Sequence, residues 1–160
     1  MRKQIRRTLI FVLLASISLT YSGCNDNQLT TIAKNVDRVA LLIKDGREVR
    51  DELEEQGIIG RDEARAITIG LLKVNTALKT FNSRAKTYAD AGGLTPAGKI
   101  ELKKLASDLA GAAQELISNG TFGVKNPDAQ VRINTTIGAL KQLTLTIADT
   151  VAAIKTKGGQ

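Results

Sequence analysis

Histidine and tryptophan are absent from the 160 residues, and there are only one cysteine, two prolines and five aromatic residues. Each shortage removes a kind of chemistry. Without histidine there is no Ser–His or Cys–His pairing for nucleophilic catalysis and no histidine ligand for heme. The Glu-x-x-His pairs that hold two metals inside four-helix bundles cannot be assembled either. A lone cysteine cannot close an internal disulfide. Glycine is plentiful, yet Gly57-Ile58-Ile59-Gly60 lacks the Lys-Ser/Thr pair of a phosphate-binding loop. The chain therefore reads as a non-enzyme with no catalytic residue, no metal and no cofactor.

Scarce aromatics also limit the core. Phe11 and Tyr21 lie in the N-terminal segment, which leaves Phe81, Tyr88 and Phe122 for the body. A core made of Leu, Ile, Val and Ala suits helix packing better than a sheet. The formal charge of +7 overstates how basic that body is. Arg2, Lys3, Arg6 and Arg7 account for four of the 23 basic residues. From Cys24 onward, 19 basic residues face 16 acidic ones, a net charge of +3. The charges are interspersed and no basic stripe alternates with aromatics, so no nucleic-acid partner is expected.

The first 23 residues have the form of a signal peptide. A basic start precedes an apolar run from Leu9 to Leu19, and small residues follow at Ser22-Gly23, directly before Cys24. The run is short for a membrane span and long enough for secretion. Tyr21-Ser22-Gly23-Cys24 resembles the lipobox of bacterial lipoproteins, with Tyr21 standing where the family has an aliphatic residue. The resemblance covers the first 24 residues only. It implies cleavage before Cys24, acylation of that cysteine with palmitate-type chains, and a place in the cell envelope facing the periplasm or the exterior. Several acyl chains hold a soluble domain on a bilayer more firmly than one. The other reading is an ordinary secretory signal cut near Thr20–Ser22, with Cys24 a free thiol.

The body is organised around Ala64 to Tyr88. Ala64, Ile67, Leu71, Val74, Leu78, Phe81, Ala85 and Tyr88 recur at alternating spacings of three and four, the seam of one long amphipathic helix. A helix before it, over 29–55, has its seam at Leu29, Ile32, Val36, Val39 and Ile43, continued by Gly46, Val49 and Leu53. The turn Gln56–Gly60 offers two glycines for positive φ, and Asp62 and Glu63 suit a helix start. Thr95-Pro96 and Asn126-Pro127 each pair an N-cap with proline at the first helical position. They open helices over 96–118, with seam Leu102, Leu105, Leu109, Ala112 and Leu116, and over 127–155. The latter has its seam at Ile133, Ile137, Leu140, Thr144, Ile147, Val151 and Ile154. The sequence thus predicts an all-α, antiparallel up-down-up-down four-helix bundle over 29–156, with helices about 29–55, 61–91, 96–118 and 127–155. A lipidated cysteine and tether (24–28) would precede it, and a flexible tail (157–160) would follow.

Three features of the body invite a function. Gly46, Gly70, Gly111 and Gly138 are interior helix glycines, each costing about 1 kcal/mol relative to Ala. Gly46 lies on its seam and Gly70 flanks one, which predicts close packing of the first two helices there. The acidic residues Glu48, Asp51, Glu52, Glu54 and Glu55 lie among Arg47, Arg50 and Arg61, which reads as a solvated, salt-bridged face. Ile58, Ile59, Phe122 and Val124 gather at the end remote from Cys24 as a surface for a protein partner, the alternative being that Ile58 and Phe122 cap the core. The expectation is a membrane-anchored envelope lipoprotein whose non-catalytic bundle binds or scaffolds, with self-association through the long seams as a further possibility. The alternative is a soluble exported helical carrier of a small apolar ligand.

Overall fold

The computed structural model describes residues 26–118 and 123–156. Among these there are four α-helices and no strand: α1 Asp26–Glu55, α2 Arg61–Asp90, α3 Pro96–Ser118 and α4 Pro127–Ala153. Each helix packs on two neighbours, α1 on α2 and α4, α3 on α2 and α4. Short links force successive helices antiparallel, which gives the expected up-down-up-down bundle. Residues 1–25, with the signal-like segment and Cys24, lie outside the described residues, as do Phe122 and the tail 157–160.

Local chemistry sets the helix ends. After α1, Ile58 N–H donates to the Leu53 carbonyl (2.9 Å) and Gly57 N–H to that of Glu54 (3.0 Å), with Gly57 at φ 67°. This is a Schellman turn, and it needs a residue without a Cβ at the left-handed position. The link after α2 repeats it, with Gly92 at φ 79°. Gly60, in contrast, is extended at φ −84°, and its N–H is accepted by Glu63. Thr95 Oγ1 accepts from Gly98 N–H (3.1 Å), and Asn126 Oδ1 accepts from Asp128 and Ala129 N–H (3.0 Å each). Both anticipated N-caps are in place.

The core runs the length of the bundle. Every expected seam residue of α4 is buried, Thr144 among them, its hydroxyl donating back to the Lys141 carbonyl (2.8 Å). On α2 the seam is buried from Ala64 to Phe81, while Ala85 and Tyr88 are half-buried. The register of α3 is corrected: Leu102, Ala106, Leu109, Ala113 and Leu116 are buried, and the anticipated Leu105 and Ala112 only half so.

Three boundaries also differ from expectation. The helix α1 begins at Asp26, so residues 26–28 are helical and not a tether. Gln28 Nε2 donates to the Ala153 carbonyl (3.4 Å), tying the first turn of α1 to the end of α4. That end comes at Ala153, short of 155, because Ile154 turns extended (ψ 131°) while remaining buried, and Lys99 Nζ donates to its carbonyl. Finally, α2 stops at Asp90, where the glycine turn takes over. We call the end holding Asp26, the 91–95 link and Ile154 basal, and the opposite end apical.

Candidate functional site

The apical acidic residues pair with Arg50, as anticipated, and otherwise with Lys44 and Arg132. Arg50 reaches Asp51 (2.9 Å) and Glu54 (3.6 Å), and Lys44 reaches Glu48 (3.2 Å). Across the helix pair, Arg132 of α4 binds Glu52 of α1 at 2.6 Å, and Gln56 Nε2 donates to the same carboxylate (3.1 Å). The Arg132 hydrogen bond, followed by its charge, holds Glu52 below the ordinary carboxylate range. Apart from half-buried Arg50 these groups are exposed, so the pairs add little to stability. Among the described residues no three His, Cys, Asp or Glu side chains converge to hold a metal ion.

The expected apical partner surface is corrected in part. Ile59 (3% exposed) and Val124 (2%) belong to the core, where they seal its apical end beneath the links. Ile58, which follows the left-handed Gly57, is exposed at 37%. Phe122 lies outside the described residues, so Ile58 is the part of the proposed patch that the structure places at the surface.

The interior glycines resolve into two separate features. A Cβ on Gly46 would come within 3.2 Å of Leu71 Cδ2 and 3.7 Å of Thr136 Cγ2, so α1 lies tightly on α2 and α4 there. The remaining void, lined by Gly46, Val49, Ile67, Leu71, Ile133, Thr136 and Ile137, measures about 10 Å³. That is no larger than the room one water needs. Gly70 faces the other way, into an open groove of about 310 Å³ between α2 and α3. Its floor is Ala66, Gly70, Ala112 and Leu116, Ile69 stands at its edge, and the Lys73–Glu115 ion pair (3.4 Å) lies along it. The expected close packing thus holds at Gly46 and not at Gly70. Gly111 and Gly138 have open space at the Cβ position, in keeping with their place off the seams.

The hydrophobic periodicity of the sequence does not predict this groove. Its signal was small residues on both walls, Ala66 and Gly70 on α2 and Ala112 on α3: a strip of small residues leaves a trough where larger ones would fill it. It is of ligand size, apolar, and open along its length.

At the basal end a polar clamp joins α2 to α3. The Tyr88 hydroxyl donates to the Glu101 carboxylate, which also pairs with Arg84 Nε (2.9 Å). That hydrogen bond, and then desolvation, raise the Tyr88 hydroxyl above its usual pKa. Such a tyrosine is a fastener rather than a base. Its ring leaves no space at Gly98, where a Cβ would stand 2.7 Å from Cε1.

Comparison with protein families, with curated proteins and with solved structures gave no match. Among the described residues no helix is long and apolar enough to cross a membrane. The fold defines the class, an all-α four-helix bundle, and its function is argued below from the chain itself.

Proposed function

We propose that the protein is a lipid-anchored component of the bacterial envelope whose bundle acts as a binding or scaffolding module. One observation carries the reading: Tyr21-Ser22-Gly23-Cys24 follows a basic and apolar leader and ends two residues before α1 begins. An acylated Cys24 would leave a single residue, Asn25, between the anchor and the helix, at most about 7 Å of chain from Cys24 to Asp26. The bundle would stand directly on the bilayer, its apical end outward. Ile58 and the α2–α3 groove, which begins within two turns of the apical link, would then be presented away from the membrane to a partner. Long, closely packed helices without room inside for a ligand at Gly46 suit a rigid spacer.

Fractionation of cells expressing the wild-type chain and Cys24→Ala tests this. The wild type is expected in the membrane fraction and released by detergent, and the variant in the soluble fraction. Equal distribution of the two would remove the anchor. The second reading, a carrier of a small apolar ligand, is favoured by the 310 Å³ groove. It predicts co-purified lipid that is lost when Gly70→Leu fills the trough.

A further inference from the structure

Cutting each helix at its midpoint divides the charges unequally. The basal half (26–40, 76–106 and 141–156) holds ten basic and five acidic residues, a net +5. The apical half (41–75 and 107–140) holds eight basic and eleven acidic residues, a net −3. The bundle is therefore electrically polar along its axis, although its total charge is small.

The basal end also carries the most exposed large hydrophobic side chain of the described residues, Ile100 at 71%. Ile100 shares one face of α3 with exposed Ala97, Lys103 and Lys104, at spacings of three and four. Lys86 is exposed near the end of α2, level with Lys103 by the register of the Tyr88–Glu101 bond. Ile100 lies four residues into its helix, about 6 Å from the end of the bundle. That is the depth to which an amphipathic surface enters a head-group layer. The link beneath, Ala91 to Thr95, carries no charged residue, and Asp90 is the acidic group at its edge.

We infer that the basal end is a docking surface for an anionic phospholipid bilayer, with Ile100 lodged among the head groups and Lys86, Lys103 and Lys104 facing their phosphates. The orientation rests on the lipid-anchored reading, since Cys24 lies two residues before α1 at this same end. The affinity does not, because lysines near an anionic surface attract it whether or not an acyl chain is present. Seating by this end turns a chain hung from one residue into one held upright, which fixes the direction the apical surface faces.

The test uses the chain from residue 24 onward carrying Cys24→Ser, which keeps every core residue and cannot be acylated. It is sedimented with vesicles of phosphatidylcholine alone or mixed with phosphatidylglycerol. Binding is expected to the mixed vesicles only and to fall as salt is raised. Lys86→Glu, Lys103→Glu and Lys104→Glu together should weaken it on the order of a hundredfold, and Ile100→Ser roughly tenfold. The apical reversal Arg47→Glu, Arg61→Glu and Lys125→Glu should leave it unchanged, and circular dichroism should show all variants equally helical. Equal binding to both vesicle types, sensitivity to the apical set instead, or binding to inorganic polyphosphate without binding to vesicles would each overturn the inference. Because this protein has no acyl group, a failure of lipidation in cells would leave the vesicle result standing.

Discussion

At the apical end Ile59 and Val124 close the core, and the surface around them is acidic, cross-linked by Arg132–Glu52. Leu94 and Ile154 close the basal end in the same way, but there the surface is basic, pinned by Tyr88–Glu101 and by Lys99 on the Ile154 carbonyl just past α4. The interior treats the two ends alike, whereas the exterior distinguishes them. Packing makes the rod, and the charges on its surface give it a direction.

Substitutions can separate these two layers. The largest effect belongs to the shared interior: Phe81→Ala, at a fully buried site, should cost about 3–5 kcal/mol in chemical denaturation. Next comes the apical pair of isoleucines, adjacent in sequence and opposite in role. Ile59→Ala should cost about 2–4 kcal/mol and Ile58→Ala less than about 0.5 kcal/mol. Equal losses would mean that Ile58 is part of the cap and no candidate for a partner. Glycines give a smaller contrast. Gly98→Ala should cost about 1–3 kcal/mol, because the Tyr88 ring must move. Gly111→Ala, in open space, should gain about 0.5–1 kcal/mol.

Titration offers the finest comparison. Tyr88 has a raised pKa in the folded protein, so its contribution is complete below the unfolded value of about 10 and is lost as pH rises through the folded one. Glu52 has a lowered pKa, so its contribution is complete above the unfolded value and is lost as pH falls through the folded one. Alkali should therefore loosen the basal clamp and acid the apical one. Thermal melts should show Tyr88→Phe flattening the alkaline limb alone and Glu52→Gln the acid limb alone. The changes will be small, since these groups are exposed.

How far the sequence disclosed this structure depended on the kind of residue carrying the signal. The seam of α4 is written in branched apolar residues at regular spacing, with Thr144 as its one polar member, and it was legible throughout. On α3 the inward residues include Ala106 and Ala113, which carry less hydrophobic weight than Leu105 beside them, and the register slipped. Asn35 gave no warning either. It is 4% exposed with its Nδ2 unpartnered, a burial imposed by its neighbours on the seam. The start of α1 was hidden because residues 26–28 are polar, and Gln28 is held by a bond to a carbonyl 125 residues away. At the candidate site, Ile59 and Ile58 are chemically identical, and the turn after Gly57 decides which one faces inward. The groove beside Gly70 is defined by absent side chains, which periodicity does not register.

The lipid anchor is the claim on which the direction of the molecule depends. Its most direct test is the intact mass of the protein extracted from membranes, beside Cys24→Ala. The account predicts a chain beginning at Cys24 and heavier by the mass of its acyl groups, with no such species in the variant. An unmodified mature chain, recovered from the soluble fraction, would contradict it and make the groove between α2 and α3 the first place to look for a ligand.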